Sequence, residues 1–229
     1  MTIVAEVSPS AAAAREASLR SGTVFWAWLH GEDVRAAFMS SVIAMLTSDN
    51  AALLGSFLDQ PSGPNLSVTR NAAASALMAS QQEWLWFTDS DTVFGPETLP
   101  ALLRLADPAR RPILAAAVPV VAHDPGMHPV GEWPSLHWAA YTDHFGQLIP
   151  WSVKTPMDPV QKVAAVGTGC VLIHRSAFEA VGPAPFSEET DDGISYGEDL
   201  SFCRKAARAG VPIHVASEVR VGHAKVVTL

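Results

Sequence analysis

Cysteine is scarce in this 229-residue chain, and so are long apolar runs and positive charge. The two cysteines, Cys170 and Cys203, do not make a metal-ligand spacing and are too few for a disulfide framework. A reducing cytoplasm is the expected setting, that of a bacterium or of a host in which a virus-encoded protein acts. No window has the length of a membrane span, and MTIVAEVSPSAAAAREASLR lacks a basic region ahead of an apolar core, so neither insertion nor secretion is expected. Fifteen Lys and Arg stand against 23 Asp and Glu, giving a formal net charge of -8. That balance disfavours a nucleic-acid partner, which requires a basic face to displace counterions. A phosphate-bearing small ligand stays compatible, because a divalent cation can supply the missing charge.

What is present reads as one α/β domain over residues 21–229, behind a loose or helical tail at 1–20. TVFWAWL is a short apolar run suited to a strand buried on both faces. After Asp33, the residues Val34, Ala37, Phe38, Val42, Met45 and Leu46 recur on one helical face. AALLGSFLD is a second strand, ending at Asp59, and QPSGPN a turn. An alanine-rich helix, VTRNAAASALMASQ, precedes the strand EWLWFT. Gly95-Pro96-Glu97 opens another helix, and ILAAAVPVV supplies another strand. Such alternation predicts a Rossmann-like, mostly parallel sheet flanked by helices, with ligands at the carboxyl ends of its strands. Residues 122–162, rich in Pro, Gly, His and Trp without a sustained period, read as an irregular functional segment. VAAVGTGCVLIHR is then a glycine-interrupted strand, SAFEAVG a short helix, and ISYGEDLSFCRKAARAG ends in an amphipathic helix closed by Gly210. VPIHVA and EVRVGH complete the chain's regular part.

In WLWFTDSDTVF an apolar strand stops at Asp89, Ser90 and Asp91. Two carboxylates one residue apart, anchored by a buried strand, suit a shared hard cation, and equally suit an acidic turn. A calcium-binding EF-hand is excluded, since Val93, Phe94 and Pro100 stand where it needs an oxygen ligand, glycine and glutamate. Further on, Glu198 and Asp199 begin a helix, where the helix dipole favours ionised carboxylates; the alternative is plain capping.

The series SVTRNAAASAL, WLWFTDSDTVFGPETL, VGTGCVLIHRSAFEAVG, YGEDLSFCRKAARAG and VRVGH, in that order, resembles the GT-A-fold glycosyltransferases, particularly the family 2-like enzymes. The resemblance covers most of Thr23 to His223. It implies a UDP- or GDP-linked sugar donor, a divalent cation such as Mn²⁺ or Mg²⁺, and an acceptor that is a glycan, a protein or a small molecule. Carried over by position, Asp91 coordinates the metal, Asp89 assists it or contacts the ribose, and His223 is a further metal ligand. Asp199 matches the base of inverting members, with Glu198 its neighbouring candidate. Arg70 and Asn71 fall near the donor diphosphate, Gly167 and Gly169 where backbone approaches a ligand, and His30 and Asp59 where base and ribose rest. Trp133, Trp138 and Trp151 occupy the acceptor-side segment, where they contact the acceptor or pin the segment to the core. The acidic run Glu188 to Asp192 reads as a solvated loop or a lid. Two alternatives remain. A nucleotidyltransferase would carry a glycine-rich basic loop after its first strand, which HGEDVRAAF does not supply. A noncatalytic nucleotide or sugar-binding module of the same fold is the other.

Overall fold

The two tryptophan-bearing strands, Val24–His30 and Trp84–Asp89, are buried along almost their whole length. Alternation divides their side chains between two cores. Trp26, Trp28, Trp84 and Trp86 enter one, and Phe25, Ala27, Leu29, Leu85 and Phe87 the other. A sheet buried on both faces needs helices on both, and among the described residues five α-helices supply them.

The computed structural model describes residues 20–121, 136–144, 146–151 and 158–224. In chain order the first elements are β1 (Val24–His30), α1 (Ala36–Leu46), a 3-10 turn (Asp49–Leu53), β2 (Leu54–Pro61) and α2 (Leu66–Ala79). β3 (Trp84–Asp89), β4 (Thr92–Val93), α3 (Thr98–Leu105), β5 (Ile113–Ala117) and β6 (Pro119–Val121) follow. Next come β7 (Leu136–Trp138), β8 (Ala140–His144), β9 (Gln147–Pro150), β10 (Val160–Val163), β11 (Ala165–Val166) and β12 (Cys170–His174). α4 (Arg175–Val181), β13 (Glu189–Asp191), β14 (Ile194–Tyr196), α5 (Glu198–Arg208), β15 (Ile213–Arg220) and β16 (Gly222–His223) complete the order.

The main sheet runs β10-β15-β5-β12-β3-β1-β2. Five strands, β2, β1, β3, β5 and β15, share one direction, while β12 and β10 oppose their neighbours. The α/β architecture expected from the sequence is therefore present, with a sheet that is mixed. α2, α4 and α5 cover one face through Leu77, Phe178 and Phe202. α1 and α3 cover the other through Phe38, Met45, Leu99 and Leu102. Asn65 caps α2, its side chain accepting from the Val68 amide.

Two expectations are corrected. Within 122–162 the described residues form strands β7, β8, β9 and β10. The β8–β9 hairpin turns at Gly146, whose φ of 84° suits glycine and whose amide donates to the Asp143 carboxylate. Strands of three to five residues are too short for a period to show. The acidic run is likewise not a loose loop: Glu189–Asp191 is strand β13, paired with β14 and tied to α5 by ion pairs of Arg204 with Asp191 and of Arg208 with Glu189. The tail at 1–19 and Trp133 lie outside the described residues.

Candidate functional site

The parallel strands bring their carboxyl ends to one edge. Leu29 of β1 stands opposite Asp89 of β3, and Trp28 opposite Asp59 of β2. Beneath that edge the Trp26 indole donates to the Thr88 hydroxyl at 3.0 Å, and the rings of Trp26 and Trp86 stack at 4.9 Å. The strand end is thereby held in a buried aromatic frame. β12 enters from the same edge, where the Gly169 carbonyl accepts from the Asp89 amide and the Thr92 hydroxyl. Phe94 returns to the core, its amide donating to buried Ser41. The Asp89-Ser90-Asp91 turn is thus fastened on both sides.

Arg70, on α2, points into this edge with a side chain only 4% exposed. Its Nη2 donates to Asp89 at 3.2 Å and its Nε to Glu198 at 3.0 Å. Burial by itself would lower the guanidinium's pKa. Asp89 and Glu198, with Asp199 behind them, outweigh burial and raise it. Arg70 is a permanent cation joining the end of β3 to the start of α5. The third nitrogen, Nη1, is buried without a hydrogen-bond partner among the described residues.

The arrangement makes the two carboxylates of Gly-Glu-Asp unequal. Glu198 is committed to Arg70. Asp199 receives the Leu200 amide on Oδ1 at 2.7 Å, and its Oδ2 faces Gly167, 3.7 Å from where a Cβ would stand. Such a Cβ would also press to 3.1 Å on Ala139, so the open side of Asp199 depends on glycine there. Burial and the Glu198 charge raise the pKa of Asp199; the Leu200 amide and Arg70 pull it back only in part. A carboxylate with raised proton affinity is chemically fitted to accept a proton. Tyr141 is close by: burial and the Asp199 charge raise its phenol above the ordinary value.

Asp91 meets His223 across the β4–β16 pairing, His223 Nε2 lying 3.2 Å from Asp91 Oδ2. The other ring nitrogen, Nδ1, is 2.8 Å from the Pro119 carbonyl. A carbonyl only accepts, so Nδ1 carries a proton, and Nε2 is the ring nitrogen turned to the carboxylate. At that distance the nitrogen and the carboxylate oxygen share a proton or a cation. A hard oxygen plus an imidazole nitrogen, oriented by a backbone bond on the far side of the ring, suits Mn²⁺ or Mg²⁺. Asp89, expected to assist the metal or contact the ribose, has its Oδ1 against Arg70 and its Oδ2 toward Gly169. No group of three or more His, Cys, Asp or Glu placed to hold a metal occurs among the described residues.

The remaining candidates divide. His30 Nε2 pairs with Asp59 at 2.9 Å on the same edge, and Ser90 is half-buried in the turn between the aspartates. Gly169 has ordinary room for a Cβ, 3.5 Å from Asp89 and Thr92, so its backbone carbonyl is what the site uses. Asn71's amide exchanges two hydrogen bonds with the Phe186 backbone, at 2.7 and 2.9 Å, fastening that segment to α2. Of the two roles open to Trp151, the structure shows the one that pins its segment to the core. It is buried in the core, its indole donating to Gln161, because a ring of that size gains more from burial than a solvated strand end offers. Trp138 is half-buried under the Arg220 guanidinium, 5.7 Å from the ring centroid. Sequence reasoning missed the Pro119 carbonyl and Tyr141. A backbone carbonyl carries no side-chain signal, and Tyr141 sits in the segment without periodicity.

The model of the family described as Glycosyltransferase like family 2 matches residues 59–229. Among curated proteins none matches the chain significantly. Of solved structures, A197 from STIV is similar at a TM-score of 0.56 and 15% identity, over 89% of this chain and 86% of that one. GalNAc-T7, solved with UDP, GalNAc and Mn²⁺, is similar at a TM-score of 0.57 and 13% identity, over 90% of this chain. The match spans 43% of the GalNAc-T7 chain. At these identities the two likenesses establish the fold, which is GT-A. With the family model matched over most of its length, the chain belongs to the family 2-like glycosyltransferases.

Proposed function

We propose that the protein moves a sugar from a UDP- or GDP-linked donor to an acceptor hydroxyl, by inversion, with Asp91 and His223 holding a divalent cation and Asp199 as base. The observation that carries this reading is the Asp91–His223 pair at 3.2 Å, with the imidazole Nδ1 held by the Pro119 carbonyl. Bound there, Mn²⁺ or Mg²⁺ would offset the charge gathering on the departing diphosphate. The protein's own part is positional and protic. Asp199 accepts the acceptor's proton as its oxygen bonds to the anomeric carbon and the bond to the diphosphate oxygen breaks. Arg70 holds Asp89 and Glu198 in an ion-paired cluster. Arg70 engages both Asp89 and Glu198 and leaves Asp199 as the carboxylate of that cluster with an open side, the place a base in a single displacement needs. His30 and Asp59, paired at the edge of β1 and β2, are the candidates for nucleoside contact.

The test is a panel of UDP- and GDP-sugars with and without Mn²⁺, reading thermal stabilisation and release of nucleoside diphosphate. At 100 times Kd, binding adds about 2.7 kcal/mol of stability. The expected pattern is a Tm rise with nucleotide and Mn²⁺ together, exceeding either alone, and diphosphate release from at least one sugar donor. Binding without release from any donor would make the protein a noncatalytic module.

A further inference from the structure

A cleft of about 800 Å³ lies between the β8–β9 and β13–β14 hairpins, along α5. A smaller recess shares Gln147, Leu148, Ile194 and Tyr196 with it and ends at Tyr141 and Leu200. Through the residues they share the two hollows are continuous, and they end at neighbours of Asp199: Leu200 follows it directly, and Tyr141 stands on β8, two residues from the Ala139 that flanks the Gly167 facing Asp199. Leu200, Arg204, Ala207 and Arg208 line its wall at helical spacing. From Leu200 to Arg208 that wall runs about 12 Å at 1.5 Å per residue. This equals roughly four residues of extended chain at about 3.3 Å each.

The lining identifies the kind of occupant. The Tyr196 ring, the platform a sugar would stack on, is covered by the Arg204 guanidinium, 4.1 Å from its centroid. Leu148, Ile194, Val211 and Pro212 offer aliphatic surface rather than partners for sugar hydroxyls. Lys162 and Arg208 at the far end are mixed with Asp143 and Asp192, and Arg204 is neutralised by Asp191, so the path is not built for a polyanion. Charges of both signs beside apolar surface complement a polypeptide of mixed composition. Both flanks, β9 and β14, are also edge strands of their small sheets among the described residues. Edge strands receive an extended peptide through main-chain hydrogen bonds.

We propose that this groove binds an extended polypeptide segment and leads a serine or threonine hydroxyl within it to Asp199, making the acceptor a protein. The inference rests on the transfer reading above and narrows its acceptor. In the step it implies, the side-chain O–H gives its proton to Asp199, the oxygen bonds the anomeric carbon, and the nucleoside diphosphate leaves with the electrons of the broken bond.

The test measures fluorescence anisotropy of a labelled pool of eight-residue peptides, each with a central Ser or Thr between apolar and oppositely charged residues, on the full chain without donor. Ile194→Asp and Ala207→Trp alter the groove at exposed positions other than Asp89, Asp91, Asp199 and His223. Peptide binding weakened at least tenfold in both variants, with thermal stabilisation by UDP or GDP plus Mn²⁺ unchanged, is the expected result. Absence of peptide binding, unchanged binding in both variants, or maltohexaose or chitohexaose held in the peptide's place would overturn it. Donor turnover without peptide binding would sink the groove alone. Groove-dependent peptide binding with no diphosphate release from any donor would sink the transfer reading and leave the groove standing.

Discussion

Replacing Arg70 by methionine removes the guanidinium that joins β3 to α5 while keeping most of the stem's packing near Phe87, over whose ring the cation now sits at 5.5 Å. Glu198, 13% exposed, is then left as an enclosed carboxylate without its partner; Asp89, 35% exposed, can turn to water. Deleting one member of a buried ion pair costs about 3–5 kcal/mol. The partial exposure of Asp89 places this case near the lower figure, about 3 kcal/mol. At about 2–4 °C per kcal/mol for a chain of this size, Tm should fall by about 6–12 °C. Adding Glu198→Gln to Arg70→Met should restore part of the loss, since the enclosed charge goes with it. A coupling of about 1–3 kcal/mol between the two sites is expected from urea unfolding of the four-member cycle. Arg70→Met melting within about 2 °C of the parent, or strictly additive losses, would show that the arginine does not hold the two carboxylates together.

Three further outcomes follow from the same geometry. Asp199→Asn should abolish diphosphate release while leaving nucleotide binding intact, and should match or exceed the parent's stability at neutral pH. The sign follows from the raised folded-state pKa: Asp199's favourable contribution is complete below the unfolded value of about 3.9 and is lost as pH rises through the folded one. The asparagine variant's advantage in urea melts should therefore vanish toward pH 3. Asp91→Ala should remove the Mn²⁺-dependent part of nucleotide binding, read by calorimetry with and without the ion; binding that keeps its Mn²⁺ dependence would exclude Asp91 as a ligand. Trp151→Ala should cost about 3–5 kcal/mol as a core truncation; a loss of acceptor affinity at unchanged Tm would return Trp151 to the acceptor side.

How far the sequence carried is clearest at individual residues. The end of β3 at Asp89 was legible because a buried strand is a local apolar run and its interruption by charge is visible in a few letters. The α5 start at Glu198 was equally legible, from glycine and acidic residues ahead of an amphipathic period. β8, β9 and β13 were not, since strands of three to five residues carry too short an alternation to register. Asn71's partner was not legible for a different reason: it is the backbone of Phe186, and a backbone amide looks the same at every position.

By itself, then, the sequence determined the α/β class, the order of the chemical residues, and the likeness to the family whose model the chain matches. Each of these is encoded in short-range pattern. Only the tertiary structure decided how the residues divide the work. It paired Asp89 and Glu198 through one buried arginine, left Asp199 with one carboxylate oxygen facing Gly167, set His223 between Asp91 and the Pro119 carbonyl, and buried Trp151. Those outcomes depend on contacts between segments many tens of residues apart. Whether a carboxylate is neutralised, desolvated or open is a property of its neighbours in space.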